Sequence, residues 1–214
     1  MRRFIASYPA AGLCLALAAC GADDEPGPTT LGTGGQGPTG CGADAASVAG
    51  TSGEFPPEPA DGSECGAVVT QETPTGASHV AACSSLSYAS NPPSSGSHYG
   101  VWADFKHYEA PVARGNWVHS LEHGAVVVVY NCTDCDDEIA EAVAWMDTLP
   151  EDPSCAPYGR QRRLVLTPDP LLDVRWAAAA WGYTLRSDCF EPDVFTEFAV
   201  AHVRQGPEDL CATP

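Results

Sequence analysis

The sequence predicts an α+β domain: a mixed β-sheet with two helices packed on it, stapled by disulfides. Three observations carry that expectation. An unbroken apolar run, Ala125 to Tyr130, is bounded by Gly124 and Asn131 and rich in β-branched residues, as suits a strand buried on both faces. Directly after it the pattern turns helical, with Ile139, Ala142, Val143, Met146 and Leu149 on one face. Cysteines recur along the chain beyond its leader, in a number that suits bridging.

The chain opens on a leader. Arg2 and Arg3 form a basic start, and residues 4–17 supply an apolar stretch too short to span a bilayer. Leu17-Ala18-Ala19-Cys20 resembles a bacterial lipobox, which implies cleavage before Cys20 and diacylglycerol on its sulfur. Residues 1–19 are therefore expected to be a lipoprotein signal peptide, and Cys20 the anchor to a lipid bilayer. Ala22, two positions after that cysteine, is not Asp, which favours the outer membrane, with the domain in the periplasm or at the cell surface.

The chain holds 10 Lys plus Arg against 28 Asp plus Glu, for a net charge of −18. Loss of Arg2 and Arg3 takes this to about −20, which makes nucleic acid a poor partner and cations natural ones. No protein partner is indicated. Of the 10 cysteines, Cys14 leaves with the leader and Cys20 goes to lipid. Cys41, Cys65, Cys83, Cys132, Cys135, Cys155, Cys189 and Cys211 remain, an even set that reads as disulfides in an oxidising compartment. Their connectivity stays open.

Residues 20–65 are rich in Gly, Pro and Thr and read as a flexible tether. Residues 66–211 form a single globular domain. Val68 to Thr70 is a first strand. Residues 79–99 read as ordered loop, with Pro92, Pro93 and Gly96 inside and His79 and His98 at its flanks. Residues 101–116 show no clean period. Residues 136–149 form a helix whose first turn, Asp136 to Glu138, suits the positive helix end; Pro150 stops it. Arg163 to Thr167 is a strand. In residues 174–186 the alanines argue helix, whereas Trp176, Trp181, Gly182, Tyr183 and Thr184 argue strand; strand is preferred. Pro192 to Arg204 is a helix. From residue 125 the core order is strand, helix, strand, strand, helix. A thioredoxin-like arrangement is the alternative.

Chemistry concentrates around residues 119–135. His119, Glu122 and His123 spell His-x-x-Glu-His, the inverted zincin order. Gly124 and a strand follow at once, so no long helix is expected to carry the motif and the protease analogy weakens. On an extended segment residues 119 and 123 still face one way, so metal ligation survives either backbone. His98 and His79 are the further donors, and imidazoles with a carboxylate suit one zinc or copper ion. The competing reading is a set of histidines that only hold loops together. His107 and His202 are expected at the surface. Cys132-Thr133-Asp134-Cys135 stands after a strand and opens a helix, the placement of a redox pair, although Asp134, Asp136 and Asp137 crowd it with negative charge.

Asn91-Pro92-Pro93-Ser94-Ser95-Gly96-Ser97-His98-Tyr99, the run from Val118 through His119 and Gly124 to Tyr130, the segment Ala180-Trp181-Gly182 and the closing Gln205-Gly206-Pro207-Glu208 together resemble an exported bacterial family, domain of unknown function 3105. The resemblance spans most of residues 66–208 and implies no established activity. Its shared polar positions fall on His79, Pro92, Pro93, Ser95, Gly96, His98, Tyr99, His119, Glu122, His123 and Gly124; the eight remaining cysteines read as an elaboration on the family rather than a requirement of it, which weakens the redox reading.

The leading expectation is an exported lipoprotein domain that holds copper or zinc through His98, His119 and His123, with Glu122 or His79 completing the shell. The alternatives are a metal-dependent hydrolase with Glu122 as base, a thiol-disulfide oxidoreductase using Cys132 and Cys135, and a non-catalytic binding module.

Overall fold

The structure is a computed structural model. It describes residues 40–41, the backbone of 46–48, and residues 55–159 and 161–211. The expected signal peptide, the lipid-bearing Cys20 and most of the tether lie outside the described residues.

The strands are β1 (Ala46–Val48), β2 (Glu58–Pro59), β3 (Val68–Gln71), β4 (His79–Val80), β5 (Leu86–Tyr88), β6 (His98–Tyr99), β7 (Val126–Tyr130), β8 (Leu164–Pro168), β9 (Trp176–Ala180) and β10 (Tyr183–Ser187). The helices are α1 (Arg114–Glu122), α2 (Asp136–Met146) and α3 (Pro192–His202). The main sheet has the order β2-β3-β10-β9-β7-β8. β7 and β8 are parallel, joined by the crossover helix α2, while β7–β9, β9–β10, β10–β3 and β3–β2 are antiparallel. The fold is the expected α+β class with a mixed sheet.

Strand periodicity sorts the core into two layers. Val126, Val128 and Tyr130 face one side with Trp176, Ala178 and Ala180, under Trp145 of α2 and Phe195 and Phe198 of α3. Val127 and Val129 face the other with Ala177 and Ala179, under Trp117, Val118 and Leu121 of α1. Two helices were expected; α1 is a third, and it covers the opposite face. Its nine residues are all buried, so it shows no polar stripe by which a helical period could be recognised.

Residues 174–186 are strand, as preferred, but as a hairpin: β9 and β10 turn at Trp181–Gly182, with Gly182 at φ +77°. Ala177 to Ala180 are all at 0 % exposure. There the packed layers on both faces outweigh the helical propensity of alanine, which is only a few tenths of a kcal/mol per residue. Three further strands, β4, β5 and β6, lie within the expected loop 79–99. The segment expected as tether is tied to the sheet from residue 58 onward: β2 pairs with β3, and Glu191 accepts from the Ser63 hydroxyl (2.6 Å) and the Glu64 amide (2.7 Å). All eight remaining cysteines pair, as Cys41–Cys83, Cys65–Cys189, Cys132–Cys135 and Cys155–Cys211. Among the described residues no helix is long and apolar enough to cross a membrane.

Candidate metal centre

The site sits at the N-terminal end of β7, where α1 stops. Because α1 is enclosed, each of its polar side chains needs a partner inside the protein. Arg114 donates to Asp169 (2.9 Å) and Asn91 (2.7 Å), the Asn116 amide to the Val101 carbonyl (2.6 Å) and the Ser120 hydroxyl to the Ala103 carbonyl (2.9 Å). These bonds lock the helix rotation that aims His119 and Glu122 at one point. The motif is thus helical after all, on a short buried helix that ends at its own glutamate, with His123 as the C-cap.

Gly124 follows at φ +80°, and a Cβ there would come 2.8 Å from the Arg204 Cα. A left-handed residue after a helix end is the usual place for glycine. The C-terminal segment docks on that end. The Arg204 amide donates to the Gly124 carbonyl (2.7 Å) and the Glu208 amide to the Glu122 carbonyl (2.9 Å). A Cβ on Gly206 would lie 2.2 Å from the Glu122 carbonyl oxygen. The segment Gln205–Glu208 therefore belongs to the site, and it brings in Glu208.

The other two donors come from β4 and β6. These two-residue strands run parallel with His79 directly opposite His98. β6 lies close on α1 because Gly115 leaves room for the Tyr99 ring, which a Cβ would meet at 2.6 Å. The rings of His79, His98 and His119 form a triangle with centroids 4.6 to 4.8 Å apart. His98 is fully buried, His119 is 4 % exposed and Glu122 5 %. The His79 side chain, 55 % exposed, opens the cluster to solvent.

Backbone carbonyls set the tautomers. His98 Nδ1 lies 2.9 Å from the Gly96 carbonyl oxygen and His119 Nδ1 2.7 Å from that of Tyr99. A carbonyl only accepts, so each Nδ1 carries the proton and each Nε2 of the neutral ring is left as a lone pair. Glu122 Oε2 lies 3.0 Å from His98 Nε2, 3.5 Å from His79 Nε2 and 3.8 Å from His119 Nε2. Among the described residues neither His98 Nε2 nor Glu122 Oε2 has a hydrogen-bond partner. Burial pushes the His119 pKa down to about 3, and the charges of His123 and His98 push the same way, against the Tyr99 carbonyl. Burial likewise takes His123 down to about 4, opposed by Glu122.

Ligand atoms of His79, His98, His119 and Glu122 all lie within 4.8 Å of one another. His123 stands differently from the expectation. It shares a second such group with Glu122 and Glu208. Its Nε2 lies between His119 Nε2 (3.1 Å) and Glu208 Oε2 (3.3 Å), and its ring meets Trp102 edge-on at 4.2 Å. His79, named as an auxiliary donor, takes the place in the main group given to His123. Glu208 was not singled out by sequence, although it closes the quoted C-terminal motif. His107 and His202 are half-buried rather than at the surface, and His202 stacks on Tyr183 at 4.0 Å.

The Cys-x-x-Cys pair lies at the other end of β7, apart from the histidines, as its own disulfide. A family model described as Protein of unknown function (DUF3105) matches residues 79–213. No curated protein and no solved structure matches the chain.

Proposed function

The chain belongs to the DUF3105 family, and we propose that it holds one divalent transition-metal ion, zinc or copper, through His79, His98, His119 and Glu122. One observation carries the reading. Two buried acceptors, the His98 Nε2 lone pair and the Glu122 carboxylate, face each other at 3.0 Å with no hydrogen bond between them. Two lone pairs so placed repel in a low-dielectric site, and a cation between them removes the penalty. The spacing fits. Bonds of about 2.0–2.1 Å to a tetrahedral ion put neighbouring ligand atoms about 3.3 Å apart. The three Glu122–histidine distances, 3.0, 3.5 and 3.8 Å, bracket that value. The Nδ1–carbonyl bonds of His98 and His119 are the outer contacts that orient metal-ligating imidazoles. Three nitrogens and one carboxylate suit zinc or copper over magnesium or calcium.

In this reading Glu122 is a ligand, so it is not free to act as a general base, and the shell closes with four protein donors. That favours binding or storage of the ion over hydrolysis. His79, half exposed, is the donor through which the ion enters. We infer further that the chain is exported and anchored through Cys20 to the outer membrane. The basic-then-apolar leader, the lipobox-like Leu17-Ala18-Ala19-Cys20 and the four cystines support this. Elemental analysis of the purified chain, incubated separately with Zn(II) and Cu(II) and desalted, is expected to return one ion per chain. No retained ion in either case overturns the reading.

A further inference from the structure

Strand β7 ends at Tyr130, and two residues on the chain reaches Cys132; Cys135 is the N-cap of α2. We propose that Cys132 and Cys135 are a redox pair that reduces disulfides of another protein, with Cys132 as the attacking sulfur and Cys135 as the resolving one. This inference is independent of the metal centre.

The first support is the asymmetry of exposure. Cys132 is half-buried between exposed Asn131 and Thr133, whereas Cys135 is 2 % exposed. One sulfur can be reached by a partner and the other only from within, as attack and resolution require.

The second support is how little the fold needs this bridge. The other three disulfides join residues 42, 124 and 56 apart; this one joins residues 3 apart. A cross-link restricts the unfolded chain less as its loop shortens, so this bridge is the least stabilising of the four. The loop has other anchors. The Asn131 amide donates to the Arg175 carbonyl (2.9 Å), and the Asn131 side chain donates to the Leu172 carbonyl (2.7 Å). β7 is paired on both edges, by β8 and β9. α2 is held by buried Ala142 and Trp145. Opening the bridge leaves both of its ends in place.

The third support is charge. Arg175 reaches over the loop to Asp134 (2.6 Å) and Glu138 (2.7 Å), which offsets two of the four acids flanking the pair. Asp136 and Asp137 remain exposed. Residual negative charge disfavours the thiolate and so disfavours the reduced form, which makes the pair a donor of electrons. It also selects a partner with basic surface around its cystine.

The exchange balances as follows. The Cys132 thiolate attacks one sulfur of the partner's disulfide and forms a mixed disulfide, and the partner's other sulfur leaves and takes a proton. Cys135, deprotonated, attacks Cys132 Sγ, closes the Cys132–Cys135 bond and expels the second partner thiol. Two electrons pass to the partner. A dithiol of a third protein returns them to the pair by the reverse sequence.

The test starts with the full chain carrying all four cystines, titrated with dithiothreitol and mapped by differential alkylation and mass spectrometry. The Cys132–Cys135 bridge is expected to open separately from the other three with the circular dichroism unchanged, and, as befits a pair that donates electrons, to equilibrate in a glutathione redox buffer at a potential at or below that of glutathione. Opening together with the other three, or with loss of the fold, overturns the proposal. In single variants, Cys132 of the Cys135→Ser chain is expected to react with oxidised glutathione at least about tenfold faster than Cys135 of the Cys132→Ser chain. Equal rates, or a faster Cys135, overturn it as well.

Discussion

The two ends of β7 carry polar chemistry in opposite settings. At its N-terminal end His98, His119 and Glu122 are enclosed, with Tyr99 and Trp117 at 0 % exposure close by. At its C-terminal end, about 17 Å away for five strand residues, the Cys-x-x-Cys loop carries an Asp134 side chain that is 76 % exposed. At the histidine end burial decides. It holds the His119 and His123 pKa values down and leaves His98 Nε2 and Glu122 Oε2 facing one another with no hydrogen bond. At the sulfur end charge and exposure decide, because four acids flank a pair that solvent reaches and only a short stretch of chain is constrained. In the two proposals, one strand holds a cation site at one end and a thiol-exchange site at the other.

The largest effect is expected where sulfur is structural. Replacing Cys65 and Cys189 by Ala opens a 124-residue span and should cost about 5 kcal/mol, against about 2 kcal/mol for Cys132→Ala with Cys135→Ala. Denaturant unfolding measures both. Equal losses would make the sulfur end as structural as the rest.

Next in size is His98→Ala. Removing one of four ligands should weaken zinc by about a hundredfold in a chelator competition, while the alkylation rate of Cys132 in the reduced chain stays within about twofold. A matching change at the cysteines would mean that the two ends are coupled.

The third prediction concerns pH. His119 and His123 titrate near 3 and 4 in the folded chain, below the ordinary histidine value of 6.5. Below 6.5 the unfolded chain binds protons that the folded chain refuses. Metal-free stability should therefore be full above pH 6.5 and fall steadily as pH drops toward 4. Thermal melts from pH 7 to pH 4 test this, and a melting temperature unchanged in His119→Gln relative to the parent across that range would contradict it.

The smallest effect is at Arg175. Its ion pairs are partly exposed, so Arg175→Gln should change stability by less than about 1 kcal/mol. It should also slow Cys132 thiol exchange severalfold at fixed pH, because Asp134 and Glu138 lose their counter-charge. Stopped-flow reaction with a disulfide reagent reads the rate, and no change there would remove charge as the difference between the two ends.

Much of this was legible in the sequence. Val126 to Tyr130 announced a doubly buried strand, Ile139 to Leu149 a helical face and Pro192 a helix start. His119 and Glu122 stood in a recognisable order. Other features were hidden for definite reasons. α1 is apolar on no single side, because Arg114, Asn116 and Ser120 are satisfied inside. β9 is four alanines and a tryptophan, whose local preference is helical until Trp145 and Phe195 pack near one face and Trp117 and Val118 near the other. His79 meets His98 only through two parallel two-residue strands. Glu208 meets His123 only because Gly124 and Gly206 let the C-terminal segment close on α1.

The sequence by itself determined which side chains were available: four histidines and a glutamate in the segments before one strand, and a Cys-x-x-Cys after it. Only the tertiary structure decided which of them meet. Local spacing governs the face on which a side chain emerges. Which donors share one ion-sized gap depends on register, helix rotation and backbone approach across tens of residues, and those are set by packing.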